Sequence, residues 1–158
     1  EDLPAIAGMA AALEEMTVHM AENREKAEAL GRRLMEKLSA IPHSALNGGR
    51  EDRLPGSVNF TFEDAEGEPL LLLLDRAGVC ASAGSACASG SLDPSHVLLA
   101  MGVPRPLARC SLRLTLNEEN TMEEVDYIAA QTAAAVERLR SLSPKWREKE
   151  NGGRPFLL

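Results

Sequence analysis

Apolar residues recur at helical spacing over residues 4–40. Ile6, Met9, Leu13, Met16 and Met20 step by threes and fours, and Ala27, Leu30, Leu34 and Leu38 resume the stripe. The spacing predicts one long amphipathic helix. At about 1.5 Å per residue it would exceed roughly 50 Å, more than the rest of the chain can cover, which implies either a break near Gly31 or a bridge to another body. Beyond Ile41 and Pro42, a polar stretch at 47–52 reads as a loop before the alternating strand Val58, Phe60, Phe62. The leucine run 70–74 is ambiguous by periodicity. Pro69 suits a first helical turn and Gly78 the position past a helix end, so the run reads as a short buried helix.

Residues 79–82 read as a short apolar strand. They lead into 84–91, where every side chain is small and two residues are glycine, a composition that cannot pack a core. Asp93 has the character of an N-cap with Pro94 at the first helical position, opening a helix that ends by Gly102. In the strand 111–116, Leu112, Leu114 and Leu116 share one face and Ser111, Arg113 and Thr115 the other. Thr121 with Glu124 makes a capping-box pattern for a last amphipathic helix carrying Val125, Ile128, Ala129, Thr132, Val136 and Leu139. The residues after Pro144 read as a polar, frayed tail. The order predicts an α/β arrangement of the α+β kind, helices packed on a small sheet, with a long N-terminal helix.

At 158 residues the chain is one ordinary domain, and 44% hydrophobic with 26% charged residues is a globular balance. The net charge of −7, with no basic cluster or interleaved aromatics, argues against nucleic acid as a partner, and no segment is long and apolar enough for a membrane span. Three cysteines without a signal-peptide layout predict reduced thiols and a cytoplasmic setting. The chain starts at Glu1 and enters helical sequence almost at once, the character of a piece of something longer.

Cys87 is the leading candidate for chemistry. A free cysteine is more often a small buried hydrophobe, but small flexible neighbours make this thiol accessible and able to swing between two places. No cation or base stands close to it in sequence; the nearest arginines are Arg76 and Arg105. Cys80 and Cys110, in or beside apolar strands, read as structural. No CxxC occurs, and His19, His43 and His96 lie at no metal-binding spacing, so no metal site is expected. His96 reads more readily as a surface residue than as a site member. Arg113, on the polar face of its strand, suits either bidentate binding of a carboxylate or pairing with an acid of its own protein.

Three segments strongly resemble the C-terminal part of cysteine desulfurases of the NifS/IscS class: residues 54–60 (Leu-Pro-Gly-Ser-Val-Asn-Phe), 66–75 (Glu-Gly-Glu-Pro, five leucines, Asp) and 83–98, with its Gly-Ser-Ala-Cys core. The resemblance extends from the opening Leu3-Pro4 through Trp146. It implies the small C-terminal domain of a pyridoxal-phosphate enzyme of the class V aminotransferase type: a connecting helix at 1–40, the domain at 41–143 with a cysteine loop at 82–92, and a polar tail at 144–158. In such enzymes the cofactor binds L-cysteine as an imine and acts as electron sink, while the loop cysteine takes the sulfur as a persulfide and alanine leaves. Cys87 matches that nucleophile and Arg113 the substrate-carboxylate arginine.

The resemblance also implies a homodimer, a large cofactor-binding domain not represented here, and delivery to an iron–sulfur scaffold or another sulfur acceptor. None of Lys26, Lys37, Lys145 or Lys149 lies in the family's Ser-Gly-His-Lys-like motif, so this chain alone is expected to be inactive, with no cofactor bound covalently. Ala83, Ala88, Cys110 and Asn117 depart from the usual residues at their positions. Two other readings stand beside this one: the domain of a selenocysteine lyase, which shares fold and reaction type, and a non-catalytic interaction module that accepts sulfur at Cys87.

Overall fold

The structure, a computed structural model, describes residues 1–83 and 93–158. The loop expected at 82–92, Cys87 included, therefore lies almost wholly outside the described residues.

Helix α1 (Leu3–Ser39) is unbroken, with Asp2 at its N-cap accepting a bond from the Ala5 amide at 3.1 Å. The break considered near Gly31 does not occur. Gly31 is buried, and a Cβ there would sit 3.5 Å from the Gly56 backbone, so the helix uses this residue for close approach to a turn. Only the second half of α1 is covered: Leu30, Leu34 and Leu38 are buried, whereas Ile6, Met9, Leu13, Met16 and Met20 are exposed. The overhang inferred from helix length is real.

Three strands, β1 (Ser44–Leu46), β2 (Ser57–Phe62) and β3 (Ser111–Thr115), form an antiparallel sheet with β2 in the middle. The three residues of β1 are too few to show alternation, which is why the strand is not legible in the sequence. Val58, Phe60 and Phe62 of β2 point into the core with Leu112 and Leu114 of β3, as their alternation demands. They pack against α1, α2 (Gly67–Arg76) and α5 (Met122–Leu142). The entry to β2 is a type II turn in which Ser57 donates to the Leu54 carbonyl at 3.2 Å, Pro55 sets the first corner and Gly56 takes φ +72° at the second. No side chain fits there, because a Cβ on Gly56 would lie 2.1 Å from the Leu116 carbonyl oxygen.

Helix α2 buries one face: Leu70 and Leu74 are inaccessible while Leu72 is exposed. Its end closes as a Schellman motif, with Gly78 at φ +75°, the Gly78 amide on Asp75 O and the Val79 amide on Leu74 O, each at 2.9 Å. That closure consumes Val79, and the strand expected at 79–82 reduces to a single bridge from Ser82 to Arg113. A second correction concerns α3 (His96–Ala100): its N-cap is Ser95, whose hydroxyl accepts from the Leu98 amide, while Asp93 pairs with Arg105 at 3.2 Å instead. One turn of helix, α4 (Arg105–Ala108), precedes β3. The capping box of α5 is formed as expected, with Glu124 N on Thr121 Oγ1 at 3.2 Å and Thr121 N on Glu124 Oε2 at 3.0 Å.

The expectation of a frayed tail is overturned. Residues after Ser143 form α6 (Pro144–Glu150), and its Trp146 is buried. Arg140, 5% exposed near the end of α5, explains why. Its Nε donates to the Glu63 carbonyl at 3.0 Å, Nη1 to Pro42 O at 2.7 Å and Nη2 to His43 O at 2.9 Å, and its guanidinium lies 4.2 Å from the Trp146 ring centroid. The Glu63 carboxylate is itself buried and receives Lys149 Nζ and the amides of Leu157 and Leu158. Burial alone would raise the Glu63 pKa; these donors outweigh it and hold the group below the usual carboxylate range. A run polar in composition thus docks because one aromatic and one ion pair are buried by its fold.

Replacing Arg140 by Met should strip the Pro42 and Glu63 carbonyls of this donor, leave the His43 carbonyl with only the Glu63 amide, and cost about 3 kcal/mol or more. The measurement is the urea unfolding midpoint, and the same change at exposed Arg138 should stay within about 0.5 kcal/mol.

Candidate functional site

Arg113 sits mid-strand in β3, opposite Asn59 of β2, on the sheet face turned away from the leucine core. Its side chain is exposed and makes no ion pair with an acid among the described residues. The same outer face carries polar side chains locked to one another: Asn47 Nδ2 donates to Asn59 Oδ1 at 2.7 Å and to Thr61 Oγ1 at 2.9 Å.

The backbone of Arg113 holds the entry to the small-residue loop. Ser82 N donates to Arg113 O at 3.0 Å and Arg113 N to Ser82 O at 2.7 Å, a reciprocal antiparallel pair. The next residue, Ala83, rests on Gly67 at the start of α2. A Cβ on Gly67 would come within 2.7 Å of Ala83 Cβ and 3.1 Å of Ser111 O, and the Gly67 amide bonds Arg109 O at 3.0 Å. Gly67 and Ser82 are thus positioning residues that side-chain chemistry in the sequence did not single out; the signal available was a glycine at the first position of a helix, where no capping need explains it.

On the far side of the loop, Asp93 is tied to Arg105 of α4. Arg105 also lines a groove of about 680 Å³ with Glu66, Arg109, Cys110, Pro144 and Lys145. Cys110 is buried, its Sγ bonded to Pro106 O at 3.3 Å. Burial, reinforced by Glu66 and Asp64, pushes its thiol up to about 11, which fits the structural role expected of it. Cys80, expected to be structural as well, is exposed, because the strand meant to bury it does not form. His96 is an exposed residue in the first turn of α3. Among the described residues no group of His, Cys, Asp and Glu could hold a metal ion, and no helix is long and apolar enough to cross a membrane.

The family model for aminotransferase class-V matches residues 1–128, and the chain belongs to that family. Its relatives there are cysteine desulfurases of the NifS/IscS class, the group its motifs resemble. It is 41% identical over 147 residues to a cysteine desulfurase of Klebsiella pneumoniae, covering 93% of this chain and 37% of that protein. It is 45% identical over 151 residues to cysteine desulfurase IscS of Clostridium botulinum strain Kyoto, covering 94% and 38% respectively. With cysteine desulfurase IscS of Methanosarcina thermophila it shares 46% identity over 144 residues, 91% of this chain and 36% of that protein. The crystal structure of a NifS-like protein from Rickettsia africae superposes with a TM-score of 0.77 at 27% identity, covering 87% of this chain and 35% of that one. The chain therefore spans under two-fifths of the length of these relatives.

Two measurements test the site. Gly67→Ala should push Ala83 off its seat, cost about 1–3 kcal/mol, and speed hydrogen exchange at the Ser82 and Arg113 amides; unchanged exchange there would detach Gly67 from the loop entry. At pH 8 a thiol reagent should label Cys80 and leave Cys110 unmodified until the protein unfolds, since a thiol titrating at about 11 is only about one part in a thousand thiolate at that pH.

Proposed function

We propose that this chain is the sulfur-receiving part of a cysteine desulfurase, with Cys87 as the persulfide-carrying nucleophile and Arg113 as the ligand of the substrate carboxylate. The supporting observation is the reciprocal backbone pair between Ser82 and Arg113, which ties the entry of the cysteine-bearing segment to the arginine itself. Cys87 follows Ser82 by five residues, so a fully extended chain limits their separation to about 18 Å. That tether keeps Cys87 on the same edge of the sheet as Arg113, as a substrate shared by the two groups requires. The thiolate attacks the substrate sulfur; an S–S bond forms, the substrate C–S bond breaks, and its electron pair stays with the carbon that becomes the methyl group of alanine. Protein thiol plus cysteine yields protein persulfide plus alanine, with no external oxidant.

Class V membership implies pyridoxal phosphate in the full-length enzyme. A seat outside this chain is supported by the engagement of its lysines elsewhere: Lys26 bonds the Glu118 carbonyl, Lys37 pairs with Asp126 at 3.1 Å and Lys149 pairs with Glu63 and Asp64, while Lys145 lies on α6 beside the groove. The seat belongs to the larger part of the family fold that this chain does not span, and the exposed stripe of Ile6, Met9, Leu13, Met16 and Met20 is the surface that part, or a second subunit, covers. A thiol that carries sulfur for an iron–sulfur or other acceptor works in a reducing compartment such as the cytoplasm.

In the full-length enzyme, Arg113→Ala should raise KM for L-cysteine about 10- to 100-fold, the loss of a charge-assisted carboxylate contact. Cys87→Ser should abolish persulfide and alanine formation while cysteine still binds. An unchanged KM removes Arg113 from the substrate site, retained turnover in the serine variant removes Cys87 from the mechanism, and turnover of selenocysteine alone reassigns the enzyme as a selenocysteine lyase.

A further inference from the structure

After α6 the chain reverses at Gly152, which adopts φ +75°, and Gly153, whose amide bonds Glu148 O at 2.8 Å, and then runs back over the end of β2. What holds it there is main chain and one ring. Leu157 N lies 2.9 Å and 3.0 Å from the two Glu63 carboxylate oxygens, and Leu158 N is 3.0 Å from Oε2. His43 Nδ1 meets Leu158 O at 2.7 Å, and Phe156 stacks on the His43 ring at 3.8 Å between centroids with its edge toward Trp146 at 5.1 Å. The side chains of Leu157 and Leu158 are 53% and 38% exposed, so little apolar surface pins the segment.

The receiving surface, by contrast, is built into the fold. Glu63 is 1% exposed, its backbone carbonyl is fixed by Arg140, Lys149 neutralises its carboxylate, and His43 is held at φ 51° with its own carbonyl bonded to Arg140. A rigid buried carboxylate aimed at two successive amides, beside an aromatic slot, is the recognition chemistry of an extended peptide. We propose that Glu63, His43, Trp146 and Lys149 form a docking site for an extended peptide segment carrying one aromatic residue followed by two free amides. Residues 156–158 occupy it in cis, as a releasable strap hinged at Gly152 and Gly153. A terminal segment whose leucines bury little apolar surface opens at lower free energy than the core, and the Glu63 carboxylate it leaves keeps Lys149 as partner, whereas Arg140 and Trp146 beneath stay in place.

The test uses the full-length protein ending after Gly153, titrated with a labelled peptide of residues 153–158 and read by fluorescence anisotropy. Saturable binding is expected. It should weaken about tenfold or more in the Glu63→Gln protein, and similarly for a peptide with Pro at the Leu157 position, since each removes a charge-assisted bond. Absence of binding at millimolar peptide, or equal binding by the proline peptide and by the Glu63→Gln protein, overturns the proposal. If the shortened protein does not fold, Leu157→Pro in the intact protein decides. Exchange at residues 153–158 should rise at least about tenfold while α6 stays protected, and unchanged exchange overturns the strap.

Discussion

Burying a guanidinium requires that its donors be met, and in this domain that requirement organises the end of the fold opposite the long helix overhang. Arg140 meets it with carbonyls of Pro42, His43 and Glu63, three residues from two connections that the Glu63 amide, donating to the His43 carbonyl at 3.0 Å, already ties together. Pro42 and His43 join α1 to β1, Glu63 follows β2, and Arg140 itself ends α5, so one side chain fixes three junctions. Burial lowers the arginine's pKa, with Glu63 and Asp64 opposing that shift, and the group remains a cation. The ring of Trp146 completes the enclosure, which is why a helix of polar composition follows α5 instead of a loose end.

A second constraint acts at the sheet's other end. Gly56 must be glycine because the Leu116 carbonyl occupies the place of a side chain, and the close passage of Gly31 and Gly56 lets α1 lie against that turn. The register of β2 then sets β3, and β3 presents Arg113 outward while its main chain captures Ser82. Gly67 makes room for Ala83 at the same edge. Core packing and loop entry are therefore coupled through glycines, and the chemistry proposed for Cys87 depends on a strand register decided more than twenty residues away.

Long amphipathic helices are usually covered along their stripe. Here Leu30, Leu34 and Leu38 find the sheet and α5, while Ile6 through Met20 on the same stripe find nothing among the described residues. The chain's own leucines cover the second half of the helix and leave the first half exposed, and the relatives it matches are more than twice its length.

Periodicity alone determined α1, the inward alternation of Val58, Phe60 and Phe62, the outward Arg113 and the capping box at Thr121, because each is a local rule acting over at most four residues at a time. The Gly-Ser-Ala-Cys run and its neighbours likewise carried the family, since their small residues are unusual enough to be read without coordinates. Tertiary structure decided the rest. Val79 is spent on closing α2, which leaves Cys80 exposed. Asp93 finds Arg105 and leaves the cap to Ser95. The residues after Pro144 look solvated by composition and are folded back by Arg140 and Glu63, partners 77 residues apart. Which donor meets which carbonyl across such distances depends on three-dimensional juxtaposition, and no local pattern of apolar and polar residues records it.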